Sequence, residues 1–118
     1  MMLKVYVYHG CSTCRNAIKW LKLHAIPFEE IAIRETPPSL QELQSAAKGR
    51  ELRALFNVSG QDYRALGLKD RLPEMSSSDA LMLLRQNGNL VKRPFVVNAE
   101  ADVYLVGFKE EEWGRVLL

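Results

Sequence analysis

The 118-residue chain has only two cysteines, Cys11 and Cys14. That excludes a disulfide scaffold, and a chain of this length buries a core without staples. A disulfide between these two residues would close so short a loop that it would constrain the unfolded chain little. Histidine is equally scarce, with His9 and His24 alone. A structural zinc site normally needs four nitrogen or sulfur ligands. His24 lies several turns beyond Cys11 on the same expected helix, so no metal is expected. An excess of one charge is also missing: 16 Lys and Arg face 14 Asp and Glu, a net charge of +2. Bulk charge therefore does not draw the chain to nucleic acid or to a membrane. No stretch approaches the roughly 20 apolar residues needed to span a bilayer. The opening "MMLKVYVYHG" reads as a strand, not as a signal peptide. A cytoplasmic protein is expected, where thiols stay reduced unless they work in redox chemistry. There is no internal repeat and no low-complexity stretch.

What is present is a clear change of period. "LKVYVY", residues 3–8, is β-branched and aromatic and reads as a buried strand. His9-Gly10 turns the chain. Cys14, Ala17, Ile18 and Leu21 then fall at helical spacing, and Pro27 limits that helix to about Ala25. "FEEIAI", residues 28–33, supplies a second strand, which makes a βαβ unit with parallel strands. "SLQE" from Ser39 is a capping box opening a helical region over residues 40–87. Breaks in it are signalled at Gly49, at "NVSG", at Gly67 and at Pro73, and Pro37-Pro38 forms the hinge leading in. "SSSDALMLLRQNG" is a capped helix. "RPFVVN" and "VYLVG" read as a hairpin, and "KEEEWGRVLL" as a closing helix with acidic residues in its first turn. The order is βαβ, a helical insert over about 36–90, then ββα. This α/β order is thioredoxin-like, with a four-stranded mixed sheet, and is expected as a single domain over 1–118. Trp20, Leu23 and Trp113 are expected to pack in the interior.

The cysteine pair falls where the first strand gives way to the first helix. Backbone N–H groups at a helix start lack intrahelical partners and favour an anion. Thiolate is the nucleophilic form, so Cys11 there is a candidate nucleophile. His9 and Arg15 could add positive potential nearby. Cys14, one turn on and on the apolar stripe, is the candidate resolving thiol. The bland alternative is two inert cysteines packed as small hydrophobes. C-x-x-C beside a βαβ pattern favours the redox reading.

"LVKRPFVV" is the second informative stretch. In a thioredoxin-like fold, a cis-proline faces the active-site cysteine, and Pro94 stands at that place. Arg93 before it is then a candidate for binding an oxyanion or carboxylate. An ordinary trans proline beside a solvated arginine is the alternative.

Together "VYVYHGCSTCRNAIKWL", "TPPSLQELQ", "LFNVSGQDYRALGL", "LVKRPFVV" and "VGFKEEEW" make the chain resemble the arsenate reductase ArsC/Spx family over nearly its whole length. The resemblance implies catalytic roles for Cys11, Cys14 and Arg93. It implies a substrate site completed by Pro94, Ser12, Thr13 and Arg15, with no metal. It implies no cofactor, only an external thiol reductant such as glutathione, glutaredoxin or thioredoxin. In family arsenate reductases, a second arginine lies in the segment matching "NVSG", where Ser59 stands here. A third lies near "VGFK", where Phe108 stands beside Lys109. One of three oxyanion-binding arginines is thus retained. The family's upstream histidine aligns with Val7, whereas His9 is two residues before Cys11. The C-x-x-C pairing is that of the Spx and glutaredoxin-like members. Spx proteins use it as a redox switch while binding the C-terminal domain of the RNA polymerase α subunit. They extend further at the C-terminus than Leu118. Three functions follow as expectations: a thiol–disulfide oxidoreductase, a Spx-like redox-sensing regulator and an arsenate reductase. The implied partners are a thiol reductant system or disulfide substrate, or the polymerase α C-terminal domain. No direct nucleic-acid contact is expected, and the chain is expected to be monomeric.

Overall fold

The computed structural model describes residues 1–118. The chain divides into two compact units, Met1–Ala32 with Arg93–Leu118, and Ile33–Lys92.

In the first unit, β1 (Leu3–Val7) leads to α1 (Ser12–Leu23) and β2 (Phe28–Ala32). The chain returns through β3 (Phe95–Asn98), β4 (Val103–Val106) and α6 (Glu110–Leu117). The sheet order is β2-β1-β3-β4. β1 and β2 are parallel, with Val5 opposite Glu30, and β3 is antiparallel to both β1 and β4. This is the four-stranded mixed sheet of a thioredoxin-like α/β fold. One sheet face, with Leu3, Val5, Val7, Val96 and Leu105, packs against Ala17, Trp20 and Leu21 of α1 and Trp113 of α6. Trp113 is fully buried, and its indole N–H donates to the Gly107 carbonyl at 3.1 Å. That bond satisfies the polar atom of a side chain otherwise held by apolar contacts. α1 stops after Leu23: His24 caps it, and Ala25 turns the chain with φ +55°. Leu23 itself is 79% exposed, so of the three expected interior residues only Trp20 and Trp113 are buried. Leu23 lies two positions beyond Leu21, a step that carries a helical side chain to the opposite face.

The second unit is built from short helices. α2 (Leu40–Ala47) opens on the expected capping box: Ser39 Oγ accepts from the Glu42 N–H, and Glu42 Oε1 accepts from the Ser39 N–H. A 3-10 turn (Leu52–Leu55), α3 (Gln61–Ala65), α4 (Leu68–Arg71) and α5 (Ser77–Gln86) follow. Gly49 and Gly67 take positive φ between these pieces. The expected break at Pro73 is present: α4 ends at Arg71, Pro73 lies in a separate 3-10 turn (Leu72–Glu74) where it has no helical N–H to lose, and α5 starts anew at Ser77. Tyr63 is buried with its ring 6.1 Å from that of Phe56. Gly88 passes so close to the Ile33 carbonyl that a Cβ would collide with it.

Candidate active site at the start of the first helix

β1 ends beneath a two-residue turn, and Cys11 becomes the N-cap of α1 in extended conformation. Its N–H donates to the Tyr8 carbonyl at 3.0 Å. Its Sγ accepts the N–H of Cys14 at 3.3 Å, where a capping serine would place its oxygen. A sulfur in this position takes up one of the free amides of the first turn, a contact that strengthens when the acceptor carries charge. Cys11 is half-buried at the edge of the apolar core, and both cysteines are free thiols. They lie close together, one turn apart.

Cys14 is 1% exposed. Burial pushes its thiol up from 9.0 to about 12, and its bond to Cys11 and the charge on Cys11 add to the rise. The Tyr8 backbone and the Arg93 charge oppose it. Two of the three raising causes therefore belong to Cys11 and disappear once that sulfur is covalently occupied.

The Arg93–Pro94 peptide bond is cis. Pro94 is buried at the start of β3, and its carbonyl accepts from the Gly107 N–H at 2.9 Å. The Arg93 guanidinium carbon lies 5.5 Å from the centre of the Tyr8 ring, within cation–π range. Arg93 is thus linked to Cys14 through its charge, and to Tyr8, whose carbonyl accepts the Cys11 N–H, through the ring. Ser12 and Thr13 open α1 with exposed side chains. Arg15 donates from Nη1 to the His9 carbonyl at 2.9 Å, so it braces the turn preceding Cys11. No group of three or more His, Cys, Asp or Glu side chains is placed to hold a metal ion.

Tyr8 is the residue that sequence reasoning misses. Its ring lies 5.0 Å from that of His9 and against Gly10, where a Cβ would come 2.6 Å from Tyr8 Cε2. The signal is the glycine two places after an aromatic strand end: only a residue without a side chain leaves room for the ring.

The two positions where arsenate reductases carry further arginines are differently used. Ser59 is exposed, and its carbonyl accepts from Arg64 Nη1 at 2.8 Å. Phe108 packs edge-on to Trp113, with ring centres 4.8 Å apart, and belongs to the apolar core margin. Lys109 beside it is exposed and stands at the N-cap of α6.

Comparison with known proteins agrees with this fold. The chain is 44% identical over 115 residues to Bacillus subtilis YusI, covering 96% of each. It is 30% identical over 118 residues to the global transcriptional regulator Spx of Enterococcus faecalis, covering 98% of this chain and 86% of Spx. The crystal structure of an ArsC-family-related protein from Bacteroides fragilis superposes with a TM-score of 0.91 at 38% identity, covering 98% of both chains. The ArsC family model matches residues 6–116, the stretch that holds both cysteines, the cis-proline and the closing helix: the chain belongs to the ArsC family.

Proposed function

We propose that the protein is a cytoplasmic thiol–disulfide oxidoreductase of the ArsC family that works through Cys11 and Cys14. The Cys11 thiolate attacks a substrate disulfide. The substrate S–S bond breaks, one substrate sulfur leaves as a thiolate and takes a proton from solvent, and the other stays on Cys11 as a mixed disulfide. Cys14 then gives up its proton and attacks the Cys11 sulfur, which expels the second substrate thiolate. The substrate gains two electrons, and the protein ends as a Cys11–Cys14 disulfide, returned to dithiol by a cellular thiol such as glutathione or by glutaredoxin or thioredoxin.

The observation that carries this reading is the 3.3 Å contact from the Cys14 amide to the Cys11 sulfur, with Cys14 buried behind it. The high proton affinity of Cys14 keeps it a thiol until Cys11 is occupied. Removal of the Cys11 charge then lowers that affinity at the moment the second attack is needed. Arg93 and Pro94 line the substrate side, the guanidinium offering a cation to a carboxylate or oxyanion, and Ser12, Thr13 and Arg15 complete the rim. Reduction of a small model disulfide by excess glutathione tests the scheme. Cys11→Ser should abolish the protein-dependent turnover, and Cys14→Ser should accumulate a covalent adduct on Cys11. Full turnover by Cys11→Ser would contradict it.

Likeness to Spx across nearly the whole chain supports a second reading, a redox-sensing regulator that binds the C-terminal domain of the RNA polymerase α subunit. Pull-downs with that domain, with the protein reduced and oxidised, separate the two; no capture in either state removes the regulator. Arsenate reduction ranks third. Ser59 and Phe108 supply no guanidinium, and arsenate needs several charged donors.

A further inference from the structure

We infer that the helical unit carries a binding site for a small organic carboxylate with an apolar body, in a cavity walled by Leu52, Tyr63, Leu72 and Met75 and flanked by Arg53 and Lys69. The site is separate from the cysteine pair and does not rest on the redox reading.

The cavity has a volume of about 360 Å³, and every residue lining it belongs to the unit Ile33–Lys92. That volume falls within the range of small-molecule pockets, about 300–1,000 Å³. Its walls come from the 3-10 turn Leu52–Leu55, from α3 and α4, and from the 3-10 turn Leu72–Glu74 with Met75 after it. Leu52, Leu72, Pro73 and Met75 make those walls largely apolar. Tyr63 adds a polar end. It is 5% exposed, and its ring is held edge-on by Phe56. Its hydroxyl bonds to no group of the chain, yet it is not sealed from solvent. A tyrosine hydroxyl in so buried a side chain usually has a partner. A ligand oxygen entering the cavity supplies one.

The charges at the cavity set the class of ligand. Four arginines lie between positions 50 and 71. Arg50, Arg64 and Arg71 each donate from Nη1 to a backbone carbonyl, at 2.7, 2.8 and 3.0 Å. The Arg53 side chain makes no hydrogen bond or ion pair, and neither does that of Lys69; both are exposed and both line the cavity. Glu51 is the one carboxylate lining it, so these three side chains sum to one positive charge. A single carboxylate matches that balance, whereas a phosphate dianion leaves one negative charge unmatched. Charge-assisted bonds from Arg53 and Lys69 take the carboxylate, and the Tyr63 hydroxyl donates to one of its oxygens. The apolar walls then require that the carboxylate be carried on a hydrocarbon body, whose burial supplies the rest of the affinity.

The test is an NMR titration of the full chain, resolved by backbone amide, with 3-phenylpropionate and with its uncharged analogue 3-phenylpropionamide. The acid should give saturable shifts centred on Leu52, Arg53, Tyr63 and Met75, with a Kd in the millimolar range expected of so small a ligand. The amide should bind about ten-fold more weakly. Arg53→Glu combined with Lys69→Glu, at two exposed positions, should also weaken the acid about ten-fold. Tyr63→Phe keeps the ring against Phe56 and removes the hydroxyl alone; it should weaken the acid roughly three- to ten-fold. Unchanged amide spectra of either variant away from the substituted positions confirm that the fold is intact. Shifts centred on Cys11 in place of the cavity, equal binding of acid and amide, unchanged affinity in either variant, or no saturable shift overturns the site.

Discussion

The Cys14 amide reaches the Cys11 sulfur at 3.3 Å while the Cys14 side chain is 1% exposed. Two chemically identical thiols, one helical turn apart, are thereby given different work. Alkylation should show the difference directly. In reduced, folded protein near pH 8, iodoacetamide should modify Cys11 at least about ten-fold faster than Cys14, because only thiolate reacts and access is required. In denaturant the two rates should converge. Equal rates in the folded protein would contradict the division of roles.

Cys14 also makes stability depend on pH. Its thiol is raised from 9.0 to about 12 by burial first, and then by its bond to Cys11 and the charge there. Below pH 9 the folded and unfolded chains both hold this proton. Above it the unfolded chain releases the proton and the folded one keeps it, so stability falls as pH rises from 9 toward 12. Between pH 9 and 10, the reduced wild type should lose about 1 kcal/mol more than Cys14→Ala does, as measured by urea unfolding. Parallel losses would show that Cys14 is not protected.

Gly10 and Gly114 should respond in opposite ways to the same added methyl group. A Cβ on Gly10 meets the Tyr8 ring at 2.6 Å, so Gly10→Ala should displace that ring from its place beside Arg93. Shifted Tyr8 ring-proton resonances and a lower Tm would report it. Gly114 is inside α6, with nothing within 4 Å of the place a Cβ would take. Gly114→Ala should add about 0.5–1 kcal/mol to stability and leave the Tyr8 resonances unmoved.

Local rules make much of this fold legible. The change from strand to helical period at Cys11, the capping box at Ser39 and the glycine breaks at Gly49 and Gly67 each depend on a few neighbouring residues. The structure shows each of them. The cis bond before Pro94 is expected from fold likeness, since sequence alone leaves a trans proline open. The end of α4 before Pro73 is legible as well, because proline interrupts an α-helix interior but suits a fresh helical start. Leu23 misleads because its residue type speaks against the phase of its own helix. Tyr8 escapes because its role depends on Gly10 and on Arg93, and the second of these is remote in sequence.

Thiol counting across graded glutathione redox buffers tests the central claim most directly. Protein is equilibrated, alkylated and weighed by mass spectrometry. A single reversible two-electron transition is predicted, from a form that takes two alkyl groups to one that takes none, with Cys11 and Cys14 joined in one tryptic peptide. Two alkylatable sulfurs over the whole range of buffers, or oxidation only to disulfide-linked dimers, would contradict the account.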